Sequence, residues 1–211
     1  MWHRRTTALI ALTVAAVFLV SVIAMLAKHG RTQIERREVR QNEKGLPLML
    51  TALKTIGLTV YYHRRSVGNG AWVVEGKVEA YDEDGSKVLD GEYRNGLEHG
   101  VFRWWHNGGK PAGKQCFLDG YQQGAEIWWN EEGAMVHRKT FMDSRKHGPE
   151  EFWSADGKIE GRIEWYEGNP MEVVTYENGQ EKERVVGPQL KDFLLEHNLF
   201  SKGRGNTEGG E

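Results

Sequence analysis

Glycines at positions 85, 109, 133 and 157 stand at an even 24-residue spacing. Four residues ahead of each is an aromatic: Tyr81, Trp105, Trp129 and Trp153. A second aromatic column, Tyr93, Phe117, Phe141 and Trp165, keeps the same interval. Three residues after its members come Gly96, Gly120, Ser144 and Gly168, and a further column holds Gly76, Gly100, Gly124 and Gly148. Few folds satisfy several columns with one short period. The two aromatic columns are offset by half that period, so each unit reads as strand, turn, strand, turn. That pattern predicts β-hairpins stacked on their neighbours as an antiparallel meander, a mainly β fold. Eight strands are expected between Ala71 and Glu167, with a degenerate further unit around Tyr176 and Gly179.

Composition agrees with short strands and tight turns: 26 glycines, 5 prolines and 8 tryptophans in 211 residues. Charges nearly cancel, 28 Lys and Arg against 30 Asp and Glu, which argues against a nucleic-acid partner. The single cysteine, Cys116, has no partner for an internal disulfide and makes no zinc site by itself.

The chain divides into segments. Residues 1–7 form a basic head with Arg4 and Arg5. Residues 8–27 carry no charge, and as a helix they would be about 30 Å long, the thickness of a bilayer core. They read as a single-pass signal anchor; a cleaved signal is the alternative, although Met25 spoils a small-x-small site ending at Ala27. Basic residues follow the span as well as precede it, so charge counting favours a cytoplasmic repeat domain. The short Arg-Arg head resembles a secretory start and points to the extracytoplasmic side, the reading we adopt. Residues 28–45 read as a charged, helix-compatible juxtamembrane linker. Residues 46–70 read as an entry segment with a short helix, Pro47 at its start and Gly57 at its end, a strand being the alternative. The repeat domain covers 71–186. Residues 187–200 place Leu190, Phe193, Leu194 and His197 on one helical face, as an amphipathic cap. The Gly-rich tail, 201–211, has the composition of a disordered end.

The stretch "GEYRNGLEHGVFRWWHNGGKP" begins at Gly91 and carries a family resemblance. Gly91, Tyr93, Asn95, Gly96, Gly100, Phe102, Trp105, Gly109 and Lys110 follow the pattern of the MORN-repeat-variant family, which includes bacterial YwqK-type antitoxin-like repeat proteins. The resemblance extends over roughly residues 76–183. With the anchor, the repeat sheet reads as a membrane-anchored, non-catalytic scaffold that binds a protein or another envelope component; the resemblance implies, as the alternative, an antitoxin-like protein that neutralises a toxin partner.

Sites of other kinds fail on spacing. His99 and His147 lie two units apart, about 19 Å across four strands, too far to share an ion. Aligning Gly85 with the sixth position of a calcium loop puts Ala80 and Gly91 where oxygen donors are required. No nucleophile motif, phosphate loop or metal set emerges, so neither cofactor nor catalytic residue is expected.

What remains is aromatic. Trp104, Trp128 and Phe152 form one row across the units, and their neighbours Trp105, Trp129 and Trp153 form another. Adjacent strand residues point to opposite faces, so both faces carry large rings. The Trp105 row, continued by Tyr81, is expected to be structural and to share one cross-strand ladder with the aromatics half a period away. The Trp104 row is the candidate partner-binding face, unless the C-terminal helix or residues 46–56 cover it. The repeat glycines Gly85, Gly96, Gly109, Gly120, Gly133, Gly157 and Gly168 are expected at turns.

Overall fold

A computed structural model describes residues 34–40 and 43–196. The apolar run 8–27, the basic head and the tail lie outside the described residues. Among the described residues no helix is long and apolar enough to cross a membrane. The described chain forms a twelve-stranded antiparallel sheet in which every strand pairs with its neighbours in sequence. The strands are β1 Ile34–Glu38, β2 Thr59–Gly68, β3 Ala71–Tyr81, β4 Lys87–Arg94, β5 Leu97–Trp105, β6 Pro111–Leu118, β7 Tyr121–Trp129, β8 Met135–Met142, β9 Arg145–Trp153, β10 Ile159–Tyr166, β11 Asn169–Glu177 and β12 Gln180–Val186.

The eight strands expected between Ala71 and Glu167 are β3 to β10. The meander runs further in both directions than the repeat columns do. The segment read as a juxtamembrane linker supplies the edge strand β1, paired with β2 from Ile34 opposite Arg65 to Glu38 opposite Tyr61. Its alternating charges suit an edge strand, where Arg64 meets Glu35 at 3.2 Å.

The two ends of the sheet use different turns. At one end, two-residue turns such as Asn95-Gly96 and Asp119-Gly120 have φ of 51° and 82°, then 48° and 85°. Positive φ at both positions is the geometry that matches the twist of a two-residue hairpin. Each of these turns leans on the preceding hairpin. Gly96 N–H donates to Val74 O at 2.8 Å, Gly120 to Glu98 O at 2.8 Å, Ser144 to Gln122 O at 3.0 Å and Gly168 to Lys146 O at 2.8 Å. At the other end, residues 82–86, 106–110, 130–134 and 154–158 form longer loops, with Gly85, Gly109, Gly133 and Gly157 at φ of 79°, 79°, 94° and 80°.

Two helices cap one face of the sheet, here called the inner face. Helix α1, Leu48–Thr55, buries Leu50 and ends at Gly57, where φ is 92°. Leu50 joins Val60, Val78, Ala80, Leu89, Tyr93 and Phe102 in an apolar cluster, with Leu46, Met49 and Leu53 packed against it. Tyr62 donates to Glu43 Oε1 at 2.6 Å and so pins the connection into α1. Burial, reinforced by that bond, pushes the Tyr62 phenol up to about 12. Helix α2, Leu190–Glu196, closes the other end, where Leu190, Phe193 and Leu194 pack with Phe152, Ile163, Trp165 and Val173. The remainder of the expected capping helix, His197 included, lies outside the described residues.

Candidate functional site

The inner and outer faces follow from register. One unbroken row crosses the sheet through Val60, Ala80, Leu89, Trp104, Gly113, Trp128, His137, Phe152 and Gly161. Its ends lie in the two apolar clusters, so Trp104, Trp128 and Phe152 occupy the face that the helices cap. Of the three, Phe152 is buried beneath the cap, while Trp104 and Trp128 are half-buried. Phe152 is 3% exposed, and its ring stacks on His137 with centroids 4.7 Å apart. Trp104 packs against the α1 cluster, and its ring lies 5.4 Å from that of Trp128. The two indoles meet over Gly113, where a Cβ would stand 2.6 Å from the Trp128 ring.

Between the clusters the inner face turns polar. Gln115, Glu126, His137 and Glu150 are all buried. Glu126 Oε1 accepts from Trp128 Nε1 at 2.7 Å and pairs with Lys139 Nζ at 2.8 Å. Glu150 accepts from His137 Nε2 at 2.9 Å and from Lys146 Nζ at 2.7 Å. Burial pushes the Glu150 carboxyl up, but the bonds from His137 and Lys146 outweigh it and hold it below the usual carboxylate range. Gln115 Nε2 donates to Cys116 O at 2.8 Å. This stripe escaped the reading of the sequence. Its signal was present in the repeat: Val78, Phe102, Glu126 and Glu150 occupy one column of the period, apolar under α1 and acidic beyond it.

The outer face has a different plan. Tyr81, Trp105, Trp129 and Trp153 end strands β3, β5, β7 and β9, beside the longer loops. All four are half-buried and belong to neither apolar cluster. Lys87 Nζ lies 6.0 Å from the Trp105 ring centre, and Lys114 Nζ 5.9 Å from that of Trp129. Tyr81 meets Tyr61 edge to face at 5.9 Å. Ion pairs cross the strands beside this row: Arg103 with Asp90 at 3.6 Å and Arg138 with Glu151 at 3.5 Å. Past them, towards the two-residue turns, Leu97, Leu118, Tyr121, Met142 and Tyr166 are exposed.

The expected ladder joining the Trp105 row to Tyr93, Phe117, Phe141 and Trp165 does not form. Tyr93 and Phe117 join the α1 cluster and Trp165 the α2 cluster, at the opposite strand ends from the Trp105 row. A bulge is the reason. Trp104 pairs with Gly113 but Trp105 pairs with Pro111, which leaves Ala112 extra. One extra residue inverts the alternation along the rest of the strand. The same slip recurs where Ala80 and Tyr81 pair with Leu89 and Lys87, and where Trp128 and Trp129 pair with His137 and Met135.

Other sequence candidates are placed plainly. His99 Nδ1 lies 3.1 Å from Asp119, and His147 sits against Tyr166 at 5.2 Å, so the two histidines do not meet. Asp82 accepts from Ser86 N at 2.8 Å, as a hairpin loop residue. Cys116 is free and half-buried in β6.

No curated protein matches the chain. The sequence model of the MORN repeat variant family matches residues 98–119, which hold most of β5, its loop and β6. The same hairpin recurs once per period from β3 to β10. The hairpin at residues 98–119 is thus similar to the repeat of the MORN-variant family.

Proposed function

We propose that this chain is a membrane-tethered interaction scaffold that receives a protein partner on its outer face. One observation carries the reading: half-buried Trp105, Trp129 and Trp153 recur once per unit on the face that carries no helix, outside both apolar clusters. Large aromatics held in place and partly open are the side chains that most often anchor a protein interface. The tether is the uncharged run 8–27, and the repeat domain lies on the extracytoplasmic side.

The test uses the full chain in its native membrane. A photo-reactive residue at position 129 should give a discrete cross-linked species, and one at position 128 should not. Equal labelling from both positions, or from neither, would remove the outer face as the binding surface. Extraction with alkaline carbonate should leave the chain in the pellet; release of full-length protein would remove the tether.

A further inference from the structure

We propose that a cleft between β1 and α1, outside the repeat columns, binds a phosphomonoester. The first ground is its lining. Arg36, Arg37, Arg40 and Lys54 converge on one open cleft of about 560 Å³, and Glu38 is the one acidic residue among its described walls. Three of the cations come from β1 and the residues just after it, and the fourth from α1, so the fold assembles the cluster. Charge of either sign protects an edge strand. Here four cations against one carboxylate give the walls a net charge of 4 − 1 = +3, an excess that edge protection does not require.

The second ground is the state of those cations. Arg36 is held by Glu79 at 3.4 Å and by the Tyr61 ring, 4.1 Å from its guanidinium carbon. Arg37 is held by Glu35 at 2.9 Å. Neither of these acids lines the cleft, and one carboxylate leaves a guanidinium with further N–H donors. Lys54 stands 3.7 Å from Glu38, beyond hydrogen-bond distance. Arg40 donates its backbone N–H to Glu43 at 3.1 Å, and its side chain makes no ion pair among the described residues. Positioned guanidinium forks with donors to spare suit phosphate oxygens, which they bind two at a time.

The third ground is the distribution of charge. Residues 34–68 carry seven Lys and Arg against three Asp and Glu, a net charge of 7 − 3 = +4. Residues 69–196 carry 15 against 25, a net charge of 15 − 25 = −10. An anion is thus steered to the β1 end and repelled from the repeats. A second cleft shares Val39, Arg40 and Lys54 with the first and adds Leu46, so an apolar wall stands beside the cations for the organic part of the ester. A lipid headgroup and a soluble ester share this chemistry. Only the lipid source rests on the tether: nine residues lead from Ala27 to Arg36, a reach of at most about 30 Å.

The probe is glycerol 3-phosphate, titrated calorimetrically at constant ionic strength against the full chain in phosphatidylcholine nanodiscs. Saturable binding is expected. Arg37→Gln and Arg40→Gln should each weaken it at least tenfold with the circular dichroism spectrum retained. Lys182→Gln, on the opposite edge strand β12, should leave it unchanged. Absence of saturable binding to the parent chain would overturn the proposal without any variant, and equal weakening by all three substitutions would overturn it by reducing it to overall charge. Nanodiscs containing phosphatidic acid tell the two sources apart. A probe affinity at least tenfold lower than in discs of equal charge made with phosphatidylserine assigns the cleft to a headgroup, and equal affinity in the two assigns it to a soluble ester. The cleft shares no residue with the outer-face row, so a cross-link at position 129 without phosphate binding would discard this site and leave the scaffold reading standing.

Discussion

Trp128 and Trp129 are neighbours with different surroundings. Trp128 lies over Gly113, donates to Glu126 at 2.7 Å and meets Trp104 at 5.4 Å. Trp129 has Lys114 at 5.9 Å and no side-chain hydrogen bond or ring partner of that kind, although both tryptophans are half-buried and neither belongs to an apolar cluster. Trp128→Ala is therefore expected to cost about 3 kcal/mol, from lost packing and a buried carboxylate with one donor fewer. Trp129→Ala is expected to cost about 1 kcal/mol. Urea midpoints of the two variants check the difference, and equal losses would make both rows structural. Glu150 sets a pH dependence. Its carboxyl is held below the usual range, so its contribution is present above the unfolded value of about 4.3 and is lost as pH falls through the lower folded value. Lys146→Met removes one of the donors responsible, at 2.7 Å. Stability measured from neutral pH down to about pH 3 should fall less steeply in this variant than in the parent chain.

The hairpin is the unit that the chain repeats, and its turns explain why the copies stay in step. Four turns on the two-residue side, those ending at Gly96, Gly120, Ser144 and Gly168, each donate one N–H to the hairpin before, as Gly120 does to Glu98 at 2.8 Å. Removing residues 124–147 deletes one whole unit and joins Gln123 to Gly148, each equivalent to the residue it replaces. Glu150 and Phe152 then take the places of Glu126 and Trp128, and a shorter sheet with a cooperative melt is expected. Removing residues 124–135 alone reverses the direction of every later strand. A loss of cooperativity is expected, and equally sharp thermal transitions for both deletions would contradict the meander as the unit of folding. Both edges of the sheet carry charge, Glu35 to Glu38 in β1 and Glu181 to Arg184 in β12, which opposes edge-to-edge association.

At the scale of the whole molecule, two helices do different work on one face. The α1 and α2 clusters are apolar, and the central strands between them hold Gln115, Glu126, His137 and Glu150 buried in hydrogen bonds. A chain ending at Val186 loses Leu190, Phe193 and Leu194 from the α2 cluster and uncovers Ile163 and Val173. Such a truncation is expected to lower stability by about 4 kcal/mol and to bind a hydrophobic dye that the full chain does not. No change in denaturant midpoint would mean that the sheet holds without its cap.

The repeat period determined the meander, the hairpin unit, the turn positions and the opposition of Trp104 to Trp105, because strand alternation and turn chemistry are local. The MORN-type repeat was legible for the same reason, since Gly96, Gly100, Phe102 and Trp105 stand in its order within a single hairpin. Which face is capped was decided only in three dimensions. It depends on where Leu50 and Leu194, far apart in sequence, come to rest. The bulges at Ala112 and its equivalents were equally invisible, since one extra residue inverts the faces of the strand that follows without disturbing the period. The charged edge strand β1 was not legible either, because pairing with β2, rather than any propensity of Ile34 to Glu38, makes it a strand.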